Sequence, residues 1–141
     1  LESWLRAHFS RIEAGDYFAA LAFVPRDETR AAVLQDLRST VRDRKHVATC
    51  VGFGPRYLHS TGQAYKGGPN KGVFLQITCD DPIDIDIPGR NASFGVVKAA
   101  QARGDFDVLA ERGRRVLRAH IASDLEDGLA ALKAATRQAF E

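Results

Sequence analysis

Residues 52–78 read GFGPRYLHSTGQAYKGGPNKGVFLQIT, and the reading of this stretch decides the fold. It sets Arg56, His59, Ser60, Thr61, Gln63, Lys66 and Lys71 between two apolar runs, HVATCVGF from His46 to Phe53 and VFLQITC from Val73 to Cys79. The runs read as strands, while Gly54-Pro55 and Gly67-Gly68-Pro69-Asn70 are turn signals that leave room for a short helix between them. Two strands joined through a helix-like stretch of this length imply a parallel crossover. With Leu58 to Lys66 helical, His59, Gln63 and Lys66 fall at i, i+4 and i+7 on one outward face, and Leu58, Thr61 and Tyr65 form a neighbouring face that packs inward.

Upstream, Leu1, Trp4, Leu5, His8, Phe9 and Ile12 recur at helical spacing, so the chain opens with an amphipathic helix ending near Gly15. His8 sits on or beside the apolar face, as a packed, hydrogen-bonded side chain. YFAALAFV, from Tyr17 to Val24, is a strand covered on both faces and stopped by Pro25. Asp27 caps a second helix that buries Ala31, Leu34, Leu37 and Val41 and gathers Arg42, Arg44 and Lys45 at its end.

Downstream, IDIDI from Ile83 to Ile87 alternates apolar and acidic residues as an edge strand does, which accounts for Asp81, Asp84 and Asp86 without a cation site. Ser93 caps a helix through Phe94, Val97 and Gln101 that stops at Gly104; Asp105 restarts a shorter one through Val108 and Leu109 to Gly113. RVLRAHI, from Arg115 to Ile121, is the fourth strand. Ser123 and Glu126 have capping-box spacing ahead of a last helix with Leu125, Leu129, Leu132 and Phe140 on its apolar face. Helices alternating with four apolar strands predict an α/β protein, a three-layer α/β/α sandwich with a mostly parallel sheet, whose ligands bind outside the carboxyl ends of the strands.

The chain has 141 residues, 45% hydrophobic and 27% charged, which fits one domain with a full core. A net charge of +2 without a run of five like charges gives no nucleic-acid stripe, and the Arg112, Arg114, Arg115, Arg118 cluster, able to touch an anion, reads as solvated surface. No apolar run reaches the roughly 18 residues of a membrane span, and the amino terminus lacks a signal-peptide pattern, so a cytoplasmic protein is expected. Cys50 and Cys79 lie in strand-like runs and read as reduced, buried thiols. The chain contains no Met and begins at Leu1, as a piece cut from a longer protein would.

Several of these residues can carry chemistry. Ser60 and Thr61, ahead of helical turns, can donate hydroxyls and N–H groups to a phosphate or carboxylate, or simply cap the helix. Arg56 can pair bidentately with such an anion or tie the loop. His59, at a loop-to-helix junction, can move protons near neutral pH. Lys66, beside two glycines, can neutralise a phosphate or polarise an oxygen, whereas Lys71 reads as solvated. GGPNKG lacks the spacing and terminal Lys-Ser/Thr pair of a P-loop, and no metal-ligand spacing or dinucleotide fingerprint is present.

The stretch GFGPRYLHSTGQAYKGGPNKGVFLQIT resembles the carboxyl-terminal part of glucose-6-phosphate isomerase as found in bifunctional transaldolase/glucose-6-phosphate isomerase fusions. The likeness continues in IPG (87–89), SFGVVKAAQARGD (93–105) and RGRRVLRAHI (112–121). It implies a single sugar isomerase (SIS) domain, taken from a longer multidomain enzyme, that interconverts glucose 6-phosphate and fructose 6-phosphate by ring opening and proton transfer through an enediol-like intermediate, with no metal or other cofactor. The family's Gly-Gln-x-x-His-x-Gly stretch matches Gly62 to Gly68, with Lys66 where the ring-opening histidine stands. The resemblance therefore implies His59 or Lys66 as the catalytic acid, with Arg56, Ser60, Thr61, Gln63 and, at a distance, Gln101 as substrate contacts. It implies a sugar phosphate and the remaining domains of the parent chain as partners, with room for a homo-oligomer but no nucleic acid or membrane. The family's glutamate base has no match here, and its main phosphate loop belongs to the other sugar isomerase domain, so the piece alone is expected to be catalytically incomplete. The alternative is a non-catalytic sugar-phosphate-binding or interaction module.

Overall fold

The computed structural model describes residues 1–122 and 124–141. The strand at its centre is β1 (Tyr17–Phe23), which pairs in parallel with β2 (Ala48–Phe53) on one side and with β3 (Gly72–Cys79) on the other. β4 (Arg115–Ile121) adds in parallel beyond β3, so the four-stranded sheet has the order β2-β1-β3-β4. Every pairing is parallel, which requires each connection to cross over one face of the sheet. Alternation along β1 then fixes the layers: Phe18, Ala20 and Ala22 face one core and Ala19, Leu21 and Phe23 the other.

The first core is closed by α1 (Glu2–Phe9), α2 (Glu28–Lys45) and α5 (Leu125–Gln138), which contribute Leu5, Phe9, Leu34, Leu37, Leu129 and Leu132. The second lies under α3 (Thr61–Gly67) and α4 (Phe94–Glu111), with Tyr57, Tyr65, Ala102 and Leu109 at its centre. This is the three-layer α/β/α sandwich that the strand and helix order predicts. Asp27 caps α2 by accepting from the Arg30 N–H at 2.8 Å, and Ser93 caps α4 by accepting from that of Val96 at 3.1 Å. Asp124 caps α5 by accepting from the Glu126 and Asp127 N–H groups; the Ser123 expected there lies outside the described residues.

Three local expectations are corrected. α4 runs unbroken through Gly104 to Glu111 and ends where Gly113 takes φ +67, because the inward stripe of Ala102, Asp105 and Leu109 continues across the glycine and tertiary burial outweighs its low propensity. Ile83 to Ile87 forms no strand; it is a strap pinned by Asp84, which accepts from Ser93 Oγ and the Gly95 N–H, with a single bridge between Asp86 and Ser93. At the opening helix, Leu5, His8 and Phe9 are buried but Trp4 is 70% exposed, since α1 ends at Phe9 and its first turn overhangs the sheet edge formed by β4.

The arginine cluster is also not simply solvated. Arg115 donates to buried Asp16 at 2.6 Å and to the carbonyls of Arg11 and Asn70, tying together the amino ends of the strands. Arg114 donates to the carbonyls of Lys66 and Gly68, and Arg118 to Gln76 Oε1 at 2.7 Å. Each guanidinium gathers several carbonyl or carboxylate acceptors, a use that the five donors of arginine suit and its charge alone does not reveal.

Candidate functional site at the carboxyl ends of the strands

At the carboxyl end of β2 the chain passes through Gly54-Pro55 into a 3-10 turn, Arg56–His59, and then α3. Tyr57 anchors the turn: it is 4% exposed, its ring lies edge-on to Phe23 at 5.7 Å, and its hydroxyl donates to Asp105. Burial first, and then the Asp105 carboxylate, push the Tyr57 pKa far above the usual phenol value, so the ring keeps its proton. Arg56, His59, Ser60 and Thr61 are all exposed around this anchor.

One helix from Leu58 to Lys66 does not form. Ser60 takes φ −138 and ψ −101, which ends the 3-10 turn and starts α3 afresh at Thr61. The reason lies in the two tyrosines: Tyr57 must reach Asp105 while Tyr65 packs on Phe74 and meets Cys50 Sγ at 3.2 Å. A continuous helix would hold residues eight apart about 80° out of line, and the break at Ser60 aims both inward. Leu58 is half-buried and Thr61 exposed, so the inward face is Tyr57, Gly62 and Tyr65 rather than Leu58, Thr61 and Tyr65.

The expected stripe of His59, Gln63 and Lys66 is therefore divided. His59 belongs to the turn at the carboxyl rim, whereas α3 runs about 10 Å back along the sheet and carries Lys66 toward the amino ends of the strands, where Arg112 and Arg114 bond its carbonyl. Lys66 Nζ is 2.5 Å from Asp105 Oδ1, whose side chain is 2% exposed. Buried Tyr57 and Asp105 and half-buried Lys66 thus form one network that joins the turn, α3 and α4. Gln63 is exposed on α3, and Gln101 is half-buried on α4, four residues before Asp105.

A cleft of about 270 Å³ opens at the carboxyl ends of β1, β3 and β4, lined by Phe23, Thr78, Asp80, Asp81, Lys98 and His120 among others. Parallel register sets Thr78 opposite His120, and Thr78 Oγ1 is 2.9 Å from His120 Nδ1. His120 Nε2 lies 3.3 Å from Asp80 Oδ1, and Lys98 Nζ donates to Asp81 from the first turns of α4. Arg118 closes the floor, bonded to Gln76 and the Ala102 carbonyl, with its guanidinium 4.5 Å from the Phe106 ring centroid. Burial, opposed by Lys98 and Arg30 and reinforced by the negative Asp81 and Asp80, raises the pKa of the Cys79 thiol at the cleft wall and keeps it protonated.

This cleft also sits where the chain, having gone from β1 outward to β2, returns to the other side of β1 as β3; open parallel sheets bind ligands at such a switch point. The turn bearing His59 borders it through the contact of Tyr57 with Phe23. The sequence reading missed Thr78, Asp80, Asp81, Lys98 and His120. Asp80-Asp81 reads as a strand terminator, and only pairing of β3 with β4 brings His120 to Thr78 across 42 residues of sequence. The available signal was Asp80-Asp81 directly after a strand of a parallel sheet, the end at which ligands bind. Among the described residues, no group of three or more His, Cys, Asp or Glu is arranged to hold a metal ion, and no helix is long and apolar enough to cross a membrane.

No protein-family model matches the chain, and no curated protein matches it. Among solved structures, the fold matches the crystal structure of a hypothetical protein from Thermus thermophilus with a TM-score of 0.72 and 17% identity, over 99% of this chain and 37% of that one. The present chain thus spans little more than a third of that neighbour's length, and what the two share is the fold: an all-parallel sheet between two layers of helices.

Proposed function

We propose that this chain is the carboxyl-terminal sugar isomerase lobe of a glucose-6-phosphate isomerase fused to transaldolase, supplying one wall of the site that interconverts glucose 6-phosphate and fructose 6-phosphate. The observation that carries the reading is His59, exposed on a turn held rigid by buried Tyr57 at the carboxyl rim, with Arg56, Ser60 and Thr61 around it. An imidazole on a fixed turn can give a proton to the ring oxygen as its bond to the anomeric carbon breaks and the anomeric hydroxyl loses its own, and can take that proton back when the ring closes. Arg56 supplies a charge-assisted contact to a phosphate, and the Ser60 and Thr61 hydroxyls can bond to sugar oxygens.

Between the two acids implied by the resemblance, the geometry favours His59. Lys66 is engaged with Asp105, and moving its ammonium to a substrate would leave a buried carboxylate without its cation. Gln63 and Gln101 belong to this reading only as contacts made from α3 and α4 to a substrate reaching beyond the rim. In the full-length protein, glucose 6-phosphate is expected to bind and to be converted to fructose 6-phosphate. Tight binding of fructose 6-phosphate with no conversion in either direction would replace the enzyme by a sugar-phosphate-binding module.

A further inference from the structure

The lining of the carboxyl-rim cleft is balanced in charge, with the carboxylates of Asp80 and Asp81 against the cations Lys98 and Arg118. Lys98 faces Asp81 and His120 faces Asp80, with the Thr78 hydroxyl between strands, while Arg118 is already committed to Gln76, Ala102 and the Phe106 ring. A dianionic phosphate placed there would meet two carboxylates as well as the cations, and the like charges would oppose it. A hydroxyl group has no such conflict. It donates one hydrogen bond and accepts others, so neighbouring hydroxyls can donate to Asp80 or Asp81 while accepting from Lys98, His120 or Thr78.

The volume is compatible with this: a cavity of about 270 Å³, at the small end for a ligand site, has room for the hydroxyl-bearing chain of a sugar. Resting on the proposed sugar-phosphate reading, we infer that the Thr78–Asp80–Asp81–Lys98–His120 cleft receives the hydroxyl-bearing end of the sugar, as a vicinal diol, and leaves the phosphate outside. Each Lys98–Asp81 and His120–Asp80 pair then acts as a joint donor and acceptor for one or two hydroxyls. Specificity in this cleft is for a polyol chain, not for an anion.

The test is an NMR titration of the 141-residue protein with three probes: the neutral polyol D-glucitol, inorganic phosphate and glucose 6-phosphate. D-glucitol and glucose 6-phosphate are expected to shift the amides of Thr78, Asp80, Asp81, Lys98 and His120, and inorganic phosphate is expected to leave them in place. Asp81→Asn and Lys98→Gln, checked for native amide dispersion, should each weaken both ligands by about tenfold, while Arg103→Ala on the exposed face of the same helix should change neither. Phosphate shifting these amides, or D-glucitol leaving them still, overturns the inference. If glucose 6-phosphate binds elsewhere on the rim while D-glucitol is silent, the sugar-phosphate reading survives without this cleft. Binding of D-glucitol without glucose 6-phosphate sustains the cleft and removes the reading.

Discussion

Lys66 and His59 are seven residues apart and chemically similar in promise, yet their surroundings give them different work. Lys66 neutralises Asp105, which also accepts the Tyr57 hydroxyl, so deleting the ammonium strands a buried carboxylate. Lys66→Ala is expected to cost about 2 kcal/mol in urea unfolding, and Asp105→Asn about as much, because hydrogen bonds to charged groups are lost in each. His59→Ala removes an exposed side chain and should stay within about 0.5 kcal/mol of the parent. Equal stability of the Lys66 and His59 variants would show that the Tyr57–Asp105–Lys66 network does not hold the turn.

His8 makes the pH dependence specific. Its Nε2 donates to the Phe74 carbonyl at 2.9 Å, and burial, aided by nearby Arg11 and Arg115 and opposed by that hydrogen bond, lowers its pKa from 6.5 to about 4. Between those values the unfolded chain binds a proton that the folded chain refuses, so stability is full above pH 6.5 and falls as the pH drops to about 4, by at most about 3 kcal/mol. Asp16, held below the usual carboxylate range chiefly by its bond to Arg115, adds a further loss only below its ordinary value of 3.8. His8→Gln, which keeps a donor for Phe74 but does not titrate, should flatten the first slope and leave the second. An unchanged slope between pH 6.5 and 4 would assign it to other groups.

At the scale of elements, the readable parts were those where local pattern and tertiary demand agree. The runs Tyr17 to Phe23 and Arg115 to Ile121, and the caps at Asp27 and Ser93, were legible because strand composition and capping chemistry act within a few residues. Gly104 misled because a glycine in a helical pattern is as consistent with an end as with an interior, and only the burial of Asp105 and Leu109 decides it. The IDIDI alternation misled because alternation alone does not supply a neighbouring strand, and this segment bonds instead to the start of α4 through Asp84 and the Asp86–Ser93 bridge. The corrected α4 can be tested directly. A Cβ at Gly104 meets nothing within 4 Å, so Gly104→Ala should raise stability by about 0.5–1 kcal/mol, whereas Gly113→Ala, forced to φ +67, should lower it by about 1 kcal/mol in the same thermal or urea assay. A loss at Gly104 would restore the helix break.

Over the whole molecule, the order of helices and strands made the parallel sheet legible, and with it the carboxyl rim where the candidate cleft opens. What it concealed was which side chains share that end. Lys66 belongs to a segment that returns along the sheet, while Thr78, Lys98 and His120 meet only through the β3–β4 register and the start of α4. The account accordingly places ligand chemistry at the carboxyl rim, with His59 in it and Lys66 outside it. The most direct measurement is the glucose 6-phosphate isomerase turnover of the full-length protein carrying His59→Ala or Lys66→Ala, taken at a temperature where both variants are folded. The account predicts a fall of about a hundredfold or more for His59→Ala and near-parent turnover for Lys66→Ala; near-parent turnover for His59→Ala, or a collapse confined to Lys66→Ala, would contradict it.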